Sequence, residues 1–161
     1  YSSFPRAGFR RRLFSWIYDF LVAIAVYMTA GAMSFLLIVC LMYFGLIGMS
    51  GHEHVSDAIA NSLWLKGFNE GWKFAWVGFF FIWFWAKSGQ TLGMKAWKLR
   101  VQNQDGSLIS KTTGLKRLLP TLLGLGNLAV LVDRKNKLSL QDRLTTTEVV
   151  VLSLEANRGR L

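Results

Sequence analysis

The sequence has few residues that could cross-link the chain or break a helix through proline. Cys40 is its one cysteine, so no disulfide forms within the chain, and only 2 of its 161 residues are proline. Charged residues are absent from residues 20–51, a run longer than the roughly 20 apolar residues that cross a bilayer as a helix. A disulfide scaffold is therefore excluded, a soluble globular enzyme is disfavoured, and the 52% hydrophobic content argues against disorder.

Acidic residues are also few, 9 against 19 lysines and arginines, which gives a formal net charge of +10. In a soluble protein this excess would indicate nucleic acid, but here the basic residues flank apolar runs, so no nucleic-acid partner is predicted. They number four in residues 1–15, two in 48–73, seven in 87–117 and six in 133–161. Because cytosolic segments of membrane proteins are rich in Lys and Arg, we expect a cytosolic N-terminus, residues 48–62 outside, and residues 87–117 again cytosolic.

Three segments are predicted to enter the membrane, at about residues 16–47, 63–86 and 114–132. The third either spans or re-enters. If it spans, the basic tail lies outside, although Lys and Arg are typical of cytosolic segments. Pro120 and the nearby glycines break the segment, which favours re-entry.

Strand-like patterns lie outside these segments. Apolar and basic residues alternate around residues 97–101, and Asp105-Gly106 supplies a turn. We therefore expect a cytosolic β-hairpin at about residues 95–111, with a return strand at 108–109, and a C-terminal strand within 145–154 that pairs with it if the tail is cytosolic. The predicted fold is mostly α, integral to the membrane, with two to three transmembrane or re-entrant helices and one domain over residues 1–161.

Asp19 is the first candidate functional residue, because it lies just inside an apolar run, where a carboxylate is costly unless it is paired or hydrated. Arg12 lies two helical turns away on the same face, and either Arg12 or Arg117 is a possible partner. One interpretation is an ion pair that fixes how the helices pack. The other is part of an ion or proton path.

Glu70 is the second candidate, since the second segment crosses only if it includes Glu70, Lys66 and Lys73. These three residues line one helix face. They are either solvated at a helix end above the bilayer or form a water-filled vestibule in which Glu70 binds a cation or proton.

Motifs in three parts of the chain resemble those of the RDD family of small membrane proteins. They are Arg11-Arg12-Leu-Phe-Ser-Trp-Ile-Tyr-Asp19, then Gly89-Gln-Thr-Leu-Gly-Met-Lys95 with Leu99-Arg-Val-Gln-Asn-Gln-Asp105-Gly106, and finally Asp133-Arg-Lys, Leu140-Gln-Asp142-Arg-Leu and Thr147-Glu-Val-Val. The resemblance covers about residues 8–152. It implies a bacterial integral membrane protein, and the arginine and two aspartates that name the family match Arg12, Asp19 and Asp142 best.

Other chemistries lack support in the sequence. His52-Glu53-His54 has no further His or Cys to complete a metal site, so no metal is predicted. The glycine-rich residues 89–93 lack the Gly-Lys-Ser/Thr of a phosphate-binding loop, and neither histidine lies beside a Ser or Cys motif. We therefore predict no enzyme activity and no cofactor.

Two functions stay open. The first is a small cation or proton transporter that acts as a homo-oligomer in the bacterial cytoplasmic (inner) membrane, which the resemblance allows. The second is an accessory or assembly subunit of a larger membrane complex, contacted through aromatic residues of the second segment, namely Phe79, Phe80, Phe81, Trp83 and Trp85. In either case we expect a basic belt to attract anionic lipids of the inner leaflet, formed by Arg6, Arg10, Arg11, Lys87, Lys95 and Lys98.

Overall fold

The computed structural model describes residues 3–49, 51–133 and 135–159, which form a mostly helical chain with a two-stranded sheet. The helices are α1 (Phe9–Tyr43), α2 (Val55–Asn61), α3 (Leu63–Lys87), α4 (Leu92–Ala96), α5 (Lys111–Leu122), α6 (Ala129–Val132), α7 (Leu140–Thr145) and α8 (Leu154–Arg158), with a 3-10 turn at Leu125–Leu128. The strands are β1 (Leu99–Asn103) and β2 (Thr147–Val151). Two compact units are present: the first is Tyr1–Val22 with Gly78–Leu161, and the second is Ala23–Val77.

Helix α1 has 35 residues and, among the described residues, is the one helix that by itself is long and apolar enough to cross a membrane. It begins seven residues before the predicted segment 16–47 and ends four residues before its end. The end follows from Gly45, whose φ of +71° suits glycine, with its N–H donating to the Met42 carbonyl. The next N–H, that of Leu46, reaches back to the Leu41 carbonyl, which completes a Schellman motif.

Helix α3 covers the predicted segment 63–86, and Ser62, in extended conformation, separates it from α2. Within the second unit α3 packs closely on α1 at Gly31, where an added Cβ would lie 3.1 Å from Cδ of Lys73. Whether α3 crosses a membrane stays a prediction.

The third predicted segment, 114–132, is bent rather than straight. Helix α5 and residues 126–132 meet at 88°, with Gly124 at the break in a left-handed conformation, φ +70°. A side chain at Gly124 would not fit, because its Cβ would lie 2.8 Å from Cζ2 of Trp16. This bend is the shape of a broken span or of a re-entrant loop.

The predicted hairpin at residues 95–111 is wrong in its second strand, because β1 pairs antiparallel with β2 instead. The turn after β1 is closed by the Asn103 N–H, which donates to the Ser107 carbonyl at 2.9 Å. Ser110 already caps α5, so residues 108–109 alone remain between turn and cap, too few for a strand. The predicted pairing of a C-terminal strand with the strand near residue 99 is confirmed.

The sheet lies in the core of the first unit, and other segments cover both of its edges. On one side the Val101 N–H donates to the Gly89 carbonyl at 2.8 Å, and on the other the Ala7 N–H donates to the Val149 carbonyl at 2.8 Å. Val150 and Val101 are almost fully buried. An uncovered strand edge can pair with another chain. Because both edges are covered here, this two-stranded sheet leaves no long edge open for such pairing.

Candidate functional site

Arg12, the fourth residue of α1, binds three different segments of the first unit. Its Nη1 lies 2.6 Å from Oδ2 of Asp142, in an ion pair whose side chains are 3% and 0% exposed. Its Nε donates to the Ala7 carbonyl at 3.1 Å, and its Nη2 donates to the Lys137 carbonyl at 2.9 Å. The planar guanidinium uses its fixed fork of donors to tie these segments together.

Asp142 is held at the start of α7 by a capping box with Ser139. The Ser139 N–H donates to Oδ2 of Asp142 at 3.0 Å, and the second carboxylate oxygen lies 2.8 Å from Nη1 of Arg117. Burial would raise the pKa of Asp142, but the guanidinium groups of Arg12 and Arg117 lower it more, so it lies below the ordinary 3.8. The Asp142 carboxylate therefore stays charged between two arginines. Arg12, Asp142 and Arg117 are hereafter called the triad.

Arg117, from α5, completes the triad and is itself buried. Its Nη1 donates to the hydroxyl groups of Thr145 and Thr147, and its guanidinium lies 6.0 Å from the ring centre of Trp85. These contacts fix α5 against α7 and β2. The triad thus joins α1, α5 and α7 through charged side chains that are out of contact with solvent.

Asp19 lies in the first unit too. Arg12 and Arg117 were its two possible partners, but among the described residues both arginines pair with Asp142 instead. Asp19 accepts a hydrogen bond of 2.5 Å from the Thr91 hydroxyl and one of 2.8 Å from the Gly93 N–H. Its carboxylate is thus held by neutral donors.

Gly93 allows this arrangement because it has no side chain. An added Cβ would lie 2.4 Å from the Ser15 carbonyl oxygen and 2.8 Å from Cγ of Asp19. Thr91 caps α4 and so presents its hydroxyl and the nearby amide together. The start of α4 therefore packs directly on α1 at the carboxylate.

A cavity of about 50 Å³ lies beside Asp19 within the first unit, large enough for a few water molecules. Arg12 and Arg117 also line it, so the two arginines that pair with Asp142 and the carboxylate of Asp19 meet at one space. Three of its described lining residues have a buried polar atom without a protein hydrogen-bond partner: Nε of Arg117, Oγ1 of Thr121 and Oε1 of Gln141. Such atoms are suited to bind water or a small polar ion.

Glu70 is in the second unit and forms a separate polar network. The Tyr27 hydroxyl donates to its Oε2 at 2.6 Å, and Nζ of Lys73 lies 2.6 Å from its Oε1. Close by, the Ser34 hydroxyl donates to Oδ1 of Asn69 at 2.5 Å. These bonds join α1 to α3 inside the second unit, and the Glu70 side chain is still 40% exposed.

The residues of these networks that were not singled out from the sequence include Thr91, Gly93, Ser139 and Thr147. Ser139 had a readable signal, since a serine three residues before an acid is the spacing of a capping box. Thr91 stands before a short helix at the position of a cap, which is a weaker signal. Residues 3–49, 51–133 and 135–159 contain no group of three or more His, Cys, Asp or Glu side chains placed to hold a metal ion.

The fold and the triad define a small, mostly helical protein in which charged residues from opposite ends of the chain are joined in a buried cluster. The sequence model of the RDD family matches residues 6–146, nearly the whole chain. The chain therefore belongs to the RDD family. No curated protein and no solved structure matches it.

Proposed function

We propose that this protein is an integral protein of the bacterial cytoplasmic membrane, without enzyme activity, that moves a cation or proton as a homo-oligomer. In this proposal Asp19 is the carboxylate that binds the transported ion. The triad of Arg12, Asp142 and Arg117 holds the surrounding segments in place.

Membrane insertion is supported by the surface of α1. Its large apolar side chains are exposed over much of the helix, with Leu21, Met28 and Leu36 all more than 60% exposed. Patches of this kind are rare on soluble monomers and are ordinary against lipid. The belt of basic residues around the first unit would add attraction to anionic lipid.

The tail is proposed to lie in the cytosol with the N-terminus. The contact between Arg12 and Asp142 supports this, because it brings α7 next to the start of α1. The 88° bend after α5 has a shape that a re-entrant segment needs, and re-entry returns the tail to the side from which it came. This topology keeps the positive residues of the tail with those of the N-terminus.

The observation that carries the transport proposal is the setting of Asp19. Its carboxylate is buried, is held by a hydroxyl and an amide, and lines a cavity of water size. Arg12 and Arg117 line the same cavity but form their ion pairs with Asp142 and not with Asp19. A carboxylate in such a place is suited to exchange a proton or bind a cation.

The test compares Asp19→Asn with Asp105→Asn in proteoliposomes, with proton and cation flux read by fluorescent indicators under an imposed gradient. Asp105 lies in an exposed turn, so its variant controls for the loss of a carboxylate. We expect Asp19→Asn to abolish flux and Asp105→Asn to leave it unchanged, with both variants inserted and assembled. Unchanged flux in Asp19→Asn contradicts the assignment.

An accessory role is the second proposal, favoured by aromatic side chains on the surface of α3. Of the five aromatics expected to contact a partner, Phe79 and Trp83 are exposed, whereas Phe81 and Trp85 are buried in the chain itself. A partner face would therefore centre on the exposed pair. Co-purification of a partner in mild detergent, lost on Trp83→Ala but kept on Phe14→Ala, would support this role in place of transport.

A further inference from the structure

A basic groove lies in the first unit between the start of α1 and α6. It has a volume of about 500 Å³ and is lined by Gly8, Phe9, Arg10, Arg11, Val130, Leu131 and Lys137. None of these described lining residues is acidic, and three carry a positive charge. The groove is therefore complementary to an anion.

The groove also has an apolar wall, which distinguishes it from a site for a free ion. Phe9, Val130 and Leu131 line it, and Leu131 is 44% exposed. Just beside it Val132 is 90% exposed and Leu128 is 48% exposed. A ligand with an anionic head and an apolar chain would satisfy both surfaces at once.

Lys137 supplies a second, independent observation. Its φ is +53°, a left-handed conformation that suits glycine and costs free energy for a lysine. The surrounding bonds impose it, because the Lys137 N–H donates to the Asp133 carbonyl and its own carbonyl accepts from Arg12. A glycine would fit this backbone better, so the ammonium group is present at a cost to stability.

We propose that this groove binds an anionic phospholipid, with the phosphate among Arg10, Arg11 and Lys137 and the first part of an acyl chain against Phe9 and Leu131. The proposal rests on the membrane location proposed above and is independent of transport. It assigns a defined lipid site, in contrast to the diffuse attraction of the basic belt as a whole.

The test is native mass spectrometry of the purified full chain in mild detergent, titrated with phosphatidylglycerol or phosphatidylcholine. We expect a phosphatidylglycerol adduct that phosphatidylcholine does not form and that excess inorganic phosphate does not displace. Lys137→Gly removes the ammonium and relieves the backbone, so we expect about fivefold weaker phosphatidylglycerol binding, the effect of roughly 1 kcal/mol per cation, with an unchanged or higher melting temperature.

Lys111→Gln is the matched control, because Lys111 is an exposed lysine of the same unit outside the groove. It should bind phosphatidylglycerol as the unaltered chain does. Equal binding of the two lipids, equal loss in both variants, or full displacement by phosphate would each overturn the proposal. The assay reads no flux, so its failure is distinct from a failure of Asp19→Asn.

Discussion

The ionic contacts of the two units are built in different ways. In the first unit Arg12 meets Asp142 from 130 residues away, with both side chains almost fully buried. In the second unit Lys73 meets Glu70 from one helical turn away, and the Glu70 side chain is 40% exposed. The first contact closes the chain on itself, whereas the second forms within a single helix.

This difference predicts different energies. A buried ion pair that loses one partner leaves a charge without compensation, which costs about 3–5 kcal/mol. An exposed pair is screened by solvent, and its loss costs about 0–1 kcal/mol. We therefore expect the first unit to be the part of the molecule that is sensitive to changes in charge.

The largest effect is expected for Asp142→Asn, which leaves Arg12 and Arg117 without their shared carboxylate and weakens the capping box of α7. We expect a loss of about 3–5 kcal/mol in the free energy of unfolding, measured by tryptophan fluorescence in detergent. Asp133→Asn is the control, since Asp133 pairs with the exposed Arg143. Similar small losses in both variants would contradict the role of the triad.

The same carboxylate gives a pH dependence whose sign is fixed by its pKa. Because the folded pKa of Asp142 lies below 3.8, the stabilisation is fully present above the unfolded pKa of about 3.9 and is lost as pH falls through the folded value. We expect the melting temperature to fall steeply below about pH 4 and this part of the fall to be absent in Asp142→Asn. A triad-dependent loss near pH 6 would be inconsistent with this pKa.

The next largest effect on stability is expected when one glycine in each unit is replaced by alanine. Gly93→Ala forces a Cβ against the Ser15 carbonyl and Asp19, so we expect a loss of about 3 kcal/mol in the free energy of unfolding. Gly71→Ala in α3 has no neighbour within 4 Å and should be neutral or slightly stabilising. Thermal melts of both variants check this, and equal melting temperatures would refute the close packing of α4 on α1.

A smaller effect is expected for Arg12→Lys, which keeps the charge next to Asp142. The lysine cannot also reach the Ala7 and Lys137 carbonyls, so we expect a loss of about 2 kcal/mol. Denaturant unfolding measures it, with Arg10→Lys as the control at an exposed site. If both variants unfold alike, the backbone contacts of Arg12 contribute little.

The smallest effect is expected in the second unit. Glu70→Gln keeps an oxygen for the Tyr27 hydroxyl and loses only a partly exposed charge, so we expect a change of about 0.5 kcal/mol. Denaturant unfolding at low and high salt checks it, since screening should remove most of the difference. A loss as large as that of Asp142→Asn would erase the contrast between the two units.

Much of the fold followed from the sequence because periodicity and charge act locally. The apolar run predicted α1, and the alternation near residue 99 predicted β1. The prediction of a return strand at residues 108–109 was wrong because Ser110 caps α5 directly after the turn. Two apolar residues alone do not show whether a strand or a helix start follows. The pairing of β1 with β2 was predicted only from the general argument that the exposed edge of a strand is covered by another strand.

The sequence singled out Arg12, Asp19, Arg117 and Asp142, but it indicated little of the contacts that these residues make. Helical spacing placed Arg12 and Asp19 on one face and suggested that they pair. Spacing along one helix does not show which distant segment packs there, and the partners of Asp19 come from 72 and 74 residues away. Ser139 was readable from its spacing to Asp142, whereas Thr91 became identifiable only once α4 was placed against α1.

The bond between Arg12 and Asp142 has a consequence for synthesis of the protein. The ribosome makes 130 further residues after Arg12 before its partner exists, which takes on the order of ten seconds. Throughout that interval the triad is absent, so it cannot contribute to the orientation of α1 in the membrane that is proposed above. In the topology proposed above, the arginines at its start would first act as free charges that keep the nascent helix end in the cytosol. Arg12 would later become the group on which the last part of the chain closes.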